Sequence, residues 1–322
     1  IAERNVIPIL MEGLRRLEYR GYDSAGIAVR RNDARLQRVR SVGKVAELQQ
    51  LLDAIDVEGV LGIAHTRWAT HGMPAERNAH PHMSGEQVAV VHNGIIENHA
   101  ELRADLETRG YTFQSDTDTE VIAHLLADSL RQGQDIASAT RNAIDQLVGA
   151  YALAVMDPND PDRLVVTRVG SPLVIGVGVG EHFIASDVFA LLPVTQQFIF
   201  LEEGDLAEIR RDGVSIFDAS GAPASREVRT SQLSASNAEK GPYRHYMLKE
   251  IFEQPAVVAE TLEGRVHKGR LLEASFGHVA KDLFDRTRAV QIIACGTSYH
   301  AGLVARYWLE EAGVPCQIEV AS

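Results

Sequence analysis

Apolar residues return along this chain at two spacings. Returns every three to four residues predict helices over 5–19, 45–54, 98–108, 119–131 and 136–147, and compact apolar runs predict strands over 26–30, 36–42, 60–65, 88–93 and 151–156. After Met156 the pattern breaks into short strand-like runs at 164–167, 173–176, 183–185, 198–201, 206–209 and 214–217. Strands and helices that come in groups argue for α+β layers rather than a doubly wound sheet. From about Arg226 to Tyr246 the residues turn small, polar and weakly periodic, which is linker composition. This divides the chain into a domain at 1–228, a linker at 229–246 and a second region at 247–322. Within that region a strand over 289–294, a helix over 298–312 and a strand over 316–321 make one parallel βαβ unit. A parallel sheet is normally covered on both faces, so the unit is expected to be part of a longer domain.

Polar residues of specialised chemistry stand where these apolar runs end. The run 60–65 leads into Thr66-Arg67-Trp68-Ala69-Thr70-His71-Gly72, the run 88–91 into His92-Asn93-Gly94, and Ser115-Asp116-Thr117-Asp118 precedes a helix. Sites are usually built at such strand-to-loop transitions. A cation, an amide beside a glycine N–H, and a carboxylate suit a zwitterionic amide substrate. Arg67 would fork onto its carboxylate, Asp118 would hold its ammonium, and Asn93 with the Gly94 N–H would form an oxyanion hole. Each residue also has a plainer reading. Arg67 would pair with one of many surface carboxylates, Thr117 and Glu120 have capping-box spacing that makes the acidic residues a helix start, and Asn93-Gly94 is an ordinary turn dipeptide.

These segments, together with Tyr19-Arg20-Gly21-Tyr22-Asp23-Ser24-Ala25-Gly26 and Ile292-Ile293-Ala294-Cys295-Gly296-Thr297-Ser298-Tyr299-His300, resemble the glutamine:fructose-6-phosphate amidotransferase family along essentially the whole chain. The resemblance implies a four-layer α/β/β/α N-terminal-nucleophile glutaminase domain followed by the start of an α/β sugar-isomerase domain. It implies L-glutamine and fructose-6-phosphate as substrates, with ammonia passed internally to make glucosamine-6-phosphate. Its site residues would be Asn93 and Gly94 as the oxyanion hole, and Arg67, Trp68, Thr70, His71, His80, Asp118 and Arg20 around glutamine. Trp68 would gate the ammonia path, with a core tryptophan as the plainer reading, and Tyr19 to Asp23 would close over the pocket. Thr297 and Ser298, at a strand-to-helix turn where amides and hydroxyls favour phosphate, would contribute to the sugar-phosphate site. A cytoplasmic homodimer or higher homo-oligomer is implied, and no cofactor.

One departure matters. The family's nucleophile is an N-terminal cysteine whose own α-amino group, of pKa roughly 7.7 to 8.0, serves as base. This sequence opens at Ile1, without that cysteine or its strand, so it is expected to be a fragment inactive in glutamine hydrolysis. Related readings are a phosphoribosyl-transferring amidotransferase, which the Cys295 to Ser298 turn disfavours, and a glutamine or sugar-phosphate sensor that never had the nucleophile.

Charge and composition narrow the field. The formal net charge of −12 and the absence of long basic clusters argue against nucleic acid as partner. No apolar run approaches the roughly 20 residues of a membrane span. The two cysteines, Cys295 and Cys316, share one βαβ unit, which fits a reducing compartment better than a disulfide framework. Six histidines between His65 and His99 suggest hydrogen-bonded loops more than a metal site, since thiolate ligands and closed zinc-type spacing are missing. Cys295 with His300 is a formal nucleophilic dyad, but a thiol at such a turn reads more simply as a packing group.

Overall fold

The computed structural model describes residues 1–18, 22–68, 72–231, 241–262, 265–267, 269–271 and 280–321. The chain forms two compact units, Ile1–Gly241 and Pro242–Ser322. In the first, the order is α1 (Ile7–Leu17), β1 (Ser24–Arg30), β2 (Leu36–Val42), α2 (Val45–Asp53), β3 (Leu61–Arg67), β4 (His82–Met83), β5 (Ala89–Ile96), α3 (His99–Thr108), α4 (Thr119–Arg131), α5 (Ile136–Ile144), β6 (Gly149–Met156), β7 (Leu164–Val169), β8 (Val174–Val177), β9 (His182–Ala185), β10 (Gln197–Phe200), β11 (Leu206–Ile209), β12 (Val214–Phe217), β13 (Pro223–Ala224) and β14 (Val228–Thr230). Pro8, in the first turn of α1, suits a position whose N–H needs no partner, and the Asn5 Oδ1 accepts from the Ile7 N–H. The helix therefore starts two residues later than the spacing alone predicts.

The strands form three antiparallel sheets, β2-β1-β3, β14-β10-β8-β9 and β13-β12-β11-β7-β6-β5-β4. Alternation along single strands stacks them into layers. On β1, Ala25, Ile27 and Val29 pack with α1 and α2 residues such as Met11, Leu14 and Leu48, while Ala28 faces the other way. On β6, Tyr151, Leu153 and Val155 pack with α4 and α5, while Ala152, Ala154 and Met156 turn inward. The inward residues of both sides share one cluster with Leu61, Ile63, Ala89 and Val91. The result is the α/β/β/α arrangement that the family resemblance implies, with alanines at many of the facing positions.

β3 and β9 are edge strands of their sheets, and the first two residues bridge them. Ile1 exchanges backbone hydrogen bonds with His182 in both directions, and the Ala2 N–H donates to the Val60 carbonyl. β14, whose Val228, Arg229 and Thr230 pair with Ile199, Phe198 and Gln197, occupies the first residues of the expected linker. The two units divide at Gly241–Pro242.

The second unit holds α6 (Tyr246–Leu262), β15 (Val266–His267), β16 (Arg270–Leu271), α7 (Ala280–Arg286), β17 (Val290–Ala294), α8 (Gly296–Glu311) and β18 (Cys316–Val320). β17 and β18 pair in parallel with α8 between them in sequence, the βαβ unit predicted above. The periodic pattern did not predict α6; Pro255 interrupts it, yet one missing hydrogen bond is tolerated in a 17-residue helix.

Candidate active site

A cavity of about 530 Å³ opens in the first unit, lined by Arg67, Trp68, His80, Asn93, Gly94 and Asp118 among others. Six residues from distant segments predicted to act together thus meet at one place. Arg20, Thr70 and His71 lie outside the described residues. Thr297 and Ser298 are exposed in the first turn of α8 in the second unit.

Arg67 ends β3 and is buried. Its guanidinium donates to Asp23 Oδ1 at 3.3 Å and to the Gly72 carbonyl at 2.9 Å. A buried guanidinium binds an anion best where that anion matches its fork geometry. Trp68, one residue on, is 68% exposed, so it is not a core tryptophan.

Asp118 stands directly before α4, where a cap was the plainer reading, yet its side chain makes no capping hydrogen bond. Its Oδ2 instead accepts from the Ile96 N–H at 2.9 Å, tying the end of β5 to the start of α4. Glu120 does not close a capping box on Thr117 either. Its carboxylate accepts from the Gln114 and Ser115 N–H groups and from the Ser115 hydroxyl at 2.6 Å. That hydroxyl contacts Thr117 Oγ1, which in turn meets His82 Nε2 at 3.1 Å.

Asn93-Gly94 is not a turn. β5 continues to Ile96, with Asn93 opposite Ala152 and Gly94 opposite Tyr151 on β6. Gly94 holds φ +133°, and a Cβ there would lie 1.9 Å from the Ala150 carbonyl oxygen. The strand passes this point only because the residue lacks a side chain.

The histidines hold loops by hydrogen bonds. His80 Nε2 and His92 Nδ1 both contact Thr119 Oγ1 at 3.0 Å, and His65 Nε2 contacts Asn93 Oδ1 at 2.7 Å. No group of His, Cys, Asp and Glu among the described residues is arranged to hold a metal ion. Burial lowers the His65 pKa to about 4 and pushes His80 and His82 well below the usual range, with neighbouring histidines and arginines adding to it. The unfolded chain accepts these protons near pH 6.5, whereas the folded one refuses them. Stability should therefore fall as pH drops below about 6.5, and the His65 share of that loss, about 3 kcal/mol, should level off near pH 4. Thermal unfolding at pH 7.5 and 4.5 checks this, and His82→Gln should make the loss shallower. An equal loss in the variant would show that His82 has no part in it.

Residues 65–193 match the glutamine amidotransferase domain family. The chain contains a glutamine amidotransferase domain. Over 323 aligned positions it is 60% identical to glutamine–fructose-6-phosphate aminotransferase (isomerizing) of Pseudomonas syringae pv. tomato, covering 100% of this chain and 53% of that protein. The same-named proteins of Pseudomonas aeruginosa and Escherichia coli K12 are 60% and 56% identical, each over 100% of this chain and 53% of the relative. The chain spans about half the length of the curated relatives it matches. Among solved structures, glutamine phosphoribosylpyrophosphate amidotransferase from B. subtilis aligns with TM-score 0.59 and 22% identity, covering 98% of this chain and 64% of that one. A regulatory enzyme of purine biosynthesis aligns with TM-score 0.54 and 24% identity, over 97% and 62%. These two likenesses are of fold alone.

Sequence reasoning missed two contacts of the site. Asp23 braces Arg67, and Thr119 joins His80 to His92; only their chemical type and their place in quoted segments pointed to them.

Proposed function

We propose that this chain contributes the glutamine-binding site of an enzyme that hydrolyses glutamine and delivers the ammonia to fructose-6-phosphate. One observation carries this reading: Arg67, Asp118 and Asn93-Gly94 line a single cavity, and Asp118, buried there, is not spent on capping its helix. Arg67 binds the substrate carboxylate, Asp118 its ammonium, and the Asn93 amide with the Gly94 N–H the oxyanion formed when the side-chain amide is attacked. Trp68, exposed beside Arg67, borders the route by which ammonia leaves, and His80, in the cavity lining, takes part in holding glutamine; Arg20, Thr70 and His71 are given the same task on the family resemblance alone. No cysteine is among the cavity's described lining residues, so this reading leaves the nucleophile to the full-length protein. Thr297 and Ser298 contribute to phosphate binding in the second unit. The two substrates are those in the names of the relatives; a cytoplasmic setting and a homo-oligomer are part of this proposal and rest on the family resemblance alone. Among the described residues no helix is long and apolar enough to cross a membrane.

Steady-state glutamine hydrolysis by the full-length protein tests the assignment. Arg67→Ala and Asp118→Ala should each raise KM for glutamine at least about tenfold, since each removes a charge partner of the substrate, with kcat affected less. Asp118→Asn separates the roles. It keeps an acceptor for the Ile96 N–H but loses the charge, so unchanged glutamine affinity in this variant would reduce Asp118 to a structural tie.

A further inference from the structure

Two apolar rows end in a polar pair. On β3, Leu61 and Ile63 point into the space between the sheets and His65 follows at the next inward position; on β5, Ala89 and Val91 do the same and Asn93 follows. His65 belongs to the three-stranded sheet and Asn93 to the seven-stranded one, so their 2.7 Å hydrogen bond crosses the sandwich. Apolar residues would satisfy packing at both positions, and withdrawing two polar groups from water costs free energy that their hydrogen bond only partly offsets. The pair therefore suggests a purpose beyond cohesion.

We infer that His65 is a positioning residue that orients the Asn93 carboxamide for oxyanion stabilisation, a role that rests on the reading of Asn93 proposed above. A carboxamide has one accepting end and one donating end. With Oδ1 taken by His65, Nδ2 is the end left for the cavity, where a developing negative charge needs a donor. The ring is suited to this. Its other nitrogen, Nδ1, is buried without a partner, so a proton there would be an orphaned donor, whereas a proton on Nε2 is donated to Asn93. The imidazole of His80 lies against the His65 ring at 4.3 Å between centroids, and Gly26, opposite His65 on β1, lets the His80 backbone approach, since a Cβ there would lie 2.1 Å from the His80 carbonyl oxygen. A fixed ring, a fixed tautomer and a fixed amide end form one chain of cause.

A double-mutant cycle on glutamine hydrolysis by the full-length protein tests it. His65→Leu should lower kcat about 10- to 100-fold with KM within about threefold, because the amide is freed to turn. Asn93→Ala should lower kcat about 10² to 10³-fold, and the double variant should be no slower than Asn93→Ala alone within about threefold. His65→Gln, which retains a side-chain N–H, should keep at least about a tenth of the wild-type kcat. Multiplying losses in the double variant would overturn the positioning role and leave Asn93 as an oxyanion donor. Unchanged kcat in Asn93→Ala would overturn both. Should His65→Leu fail to fold, His65→Gln decides alone: retention of activity supports the role, and a loss of 100-fold or more overturns it.

Discussion

Replacing Asn93 by alanine is expected to lower kcat for glutamine hydrolysis by about 10² to 10³ while leaving KM nearly unchanged. The amide of a bound glutamine is neutral, and its oxygen gains charge only as the carbon is attacked. A donor aimed at that oxygen is worth most in the transition state, so its loss appears in kcat. The setting enlarges the effect. Asn93 follows Ala89 and Val91 at the end of an inward apolar row, whose low polarity strengthens the attraction between the amide and a developing charge. Asn93→Asp should be at least as damaging, because a carboxylate offers the oxyanion repulsion where the amide offered an N–H. The fold should tolerate both, since the backbone pairing of Asn93 with Ala152 does not depend on the side chain. Equal kcat in wild type and Asn93→Ala, with folding intact, would remove the amide from the chemistry.

The strands were legible in the sequence as compact apolar runs, the helices as returns every three to four residues, and their grouping pointed to layers. On β1 and β6 both faces are apolar, Ala25, Ile27 and Val29 against Ala28 and Leu153 and Val155 against Ala154, so which face meets which layer is set by partners elsewhere in the chain. The segments carrying Arg67, Asn93 and Asp118 were legible for a similar reason, as polar specialists that break apolar runs. What remained hidden depends on partners far away in the chain. β14 exists because Val228 to Thr230 find β10, and β4 because His82 and Met83 find β5; neither stretch is long enough to announce a strand. Glu120 has capping-box spacing, but its carboxylate is taken by the Gln114 and Ser115 amides, which lie before the helix. The contact between His65 and Asn93 joins residues 28 positions apart across two sheets, and no local spacing encodes it.

Gly94 is where backbone and chemistry constrain each other most tightly, and Gly94→Ala should destabilise the first unit by about 3 kcal/mol or more. Two costs add. At φ +133° an L-residue is strained, which is worth on the order of 1–3 kcal/mol. The new Cβ would also sit 1.9 Å from the Ala150 carbonyl oxygen and 2.9 Å from the Tyr151 Cα, so β6 itself would have to move. Gly133→Ala provides the comparison. It too has positive φ, +84°, but nothing lies within 4 Å of the added carbon, so it should cost only the strain, about 1–2 kcal/mol. Urea unfolding of both variants, read as a shift in midpoint at constant slope, isolates the overlap. Any displacement of β6 in a folded Gly94→Ala protein would carry Asn93 and the Ile96 N–H with it, loosening the hold on Asp118, so glutamine turnover should fall even where the protein survives. Equal midpoints for the two variants would mean that Ala150 yields freely and that the glycine serves only its own torsion.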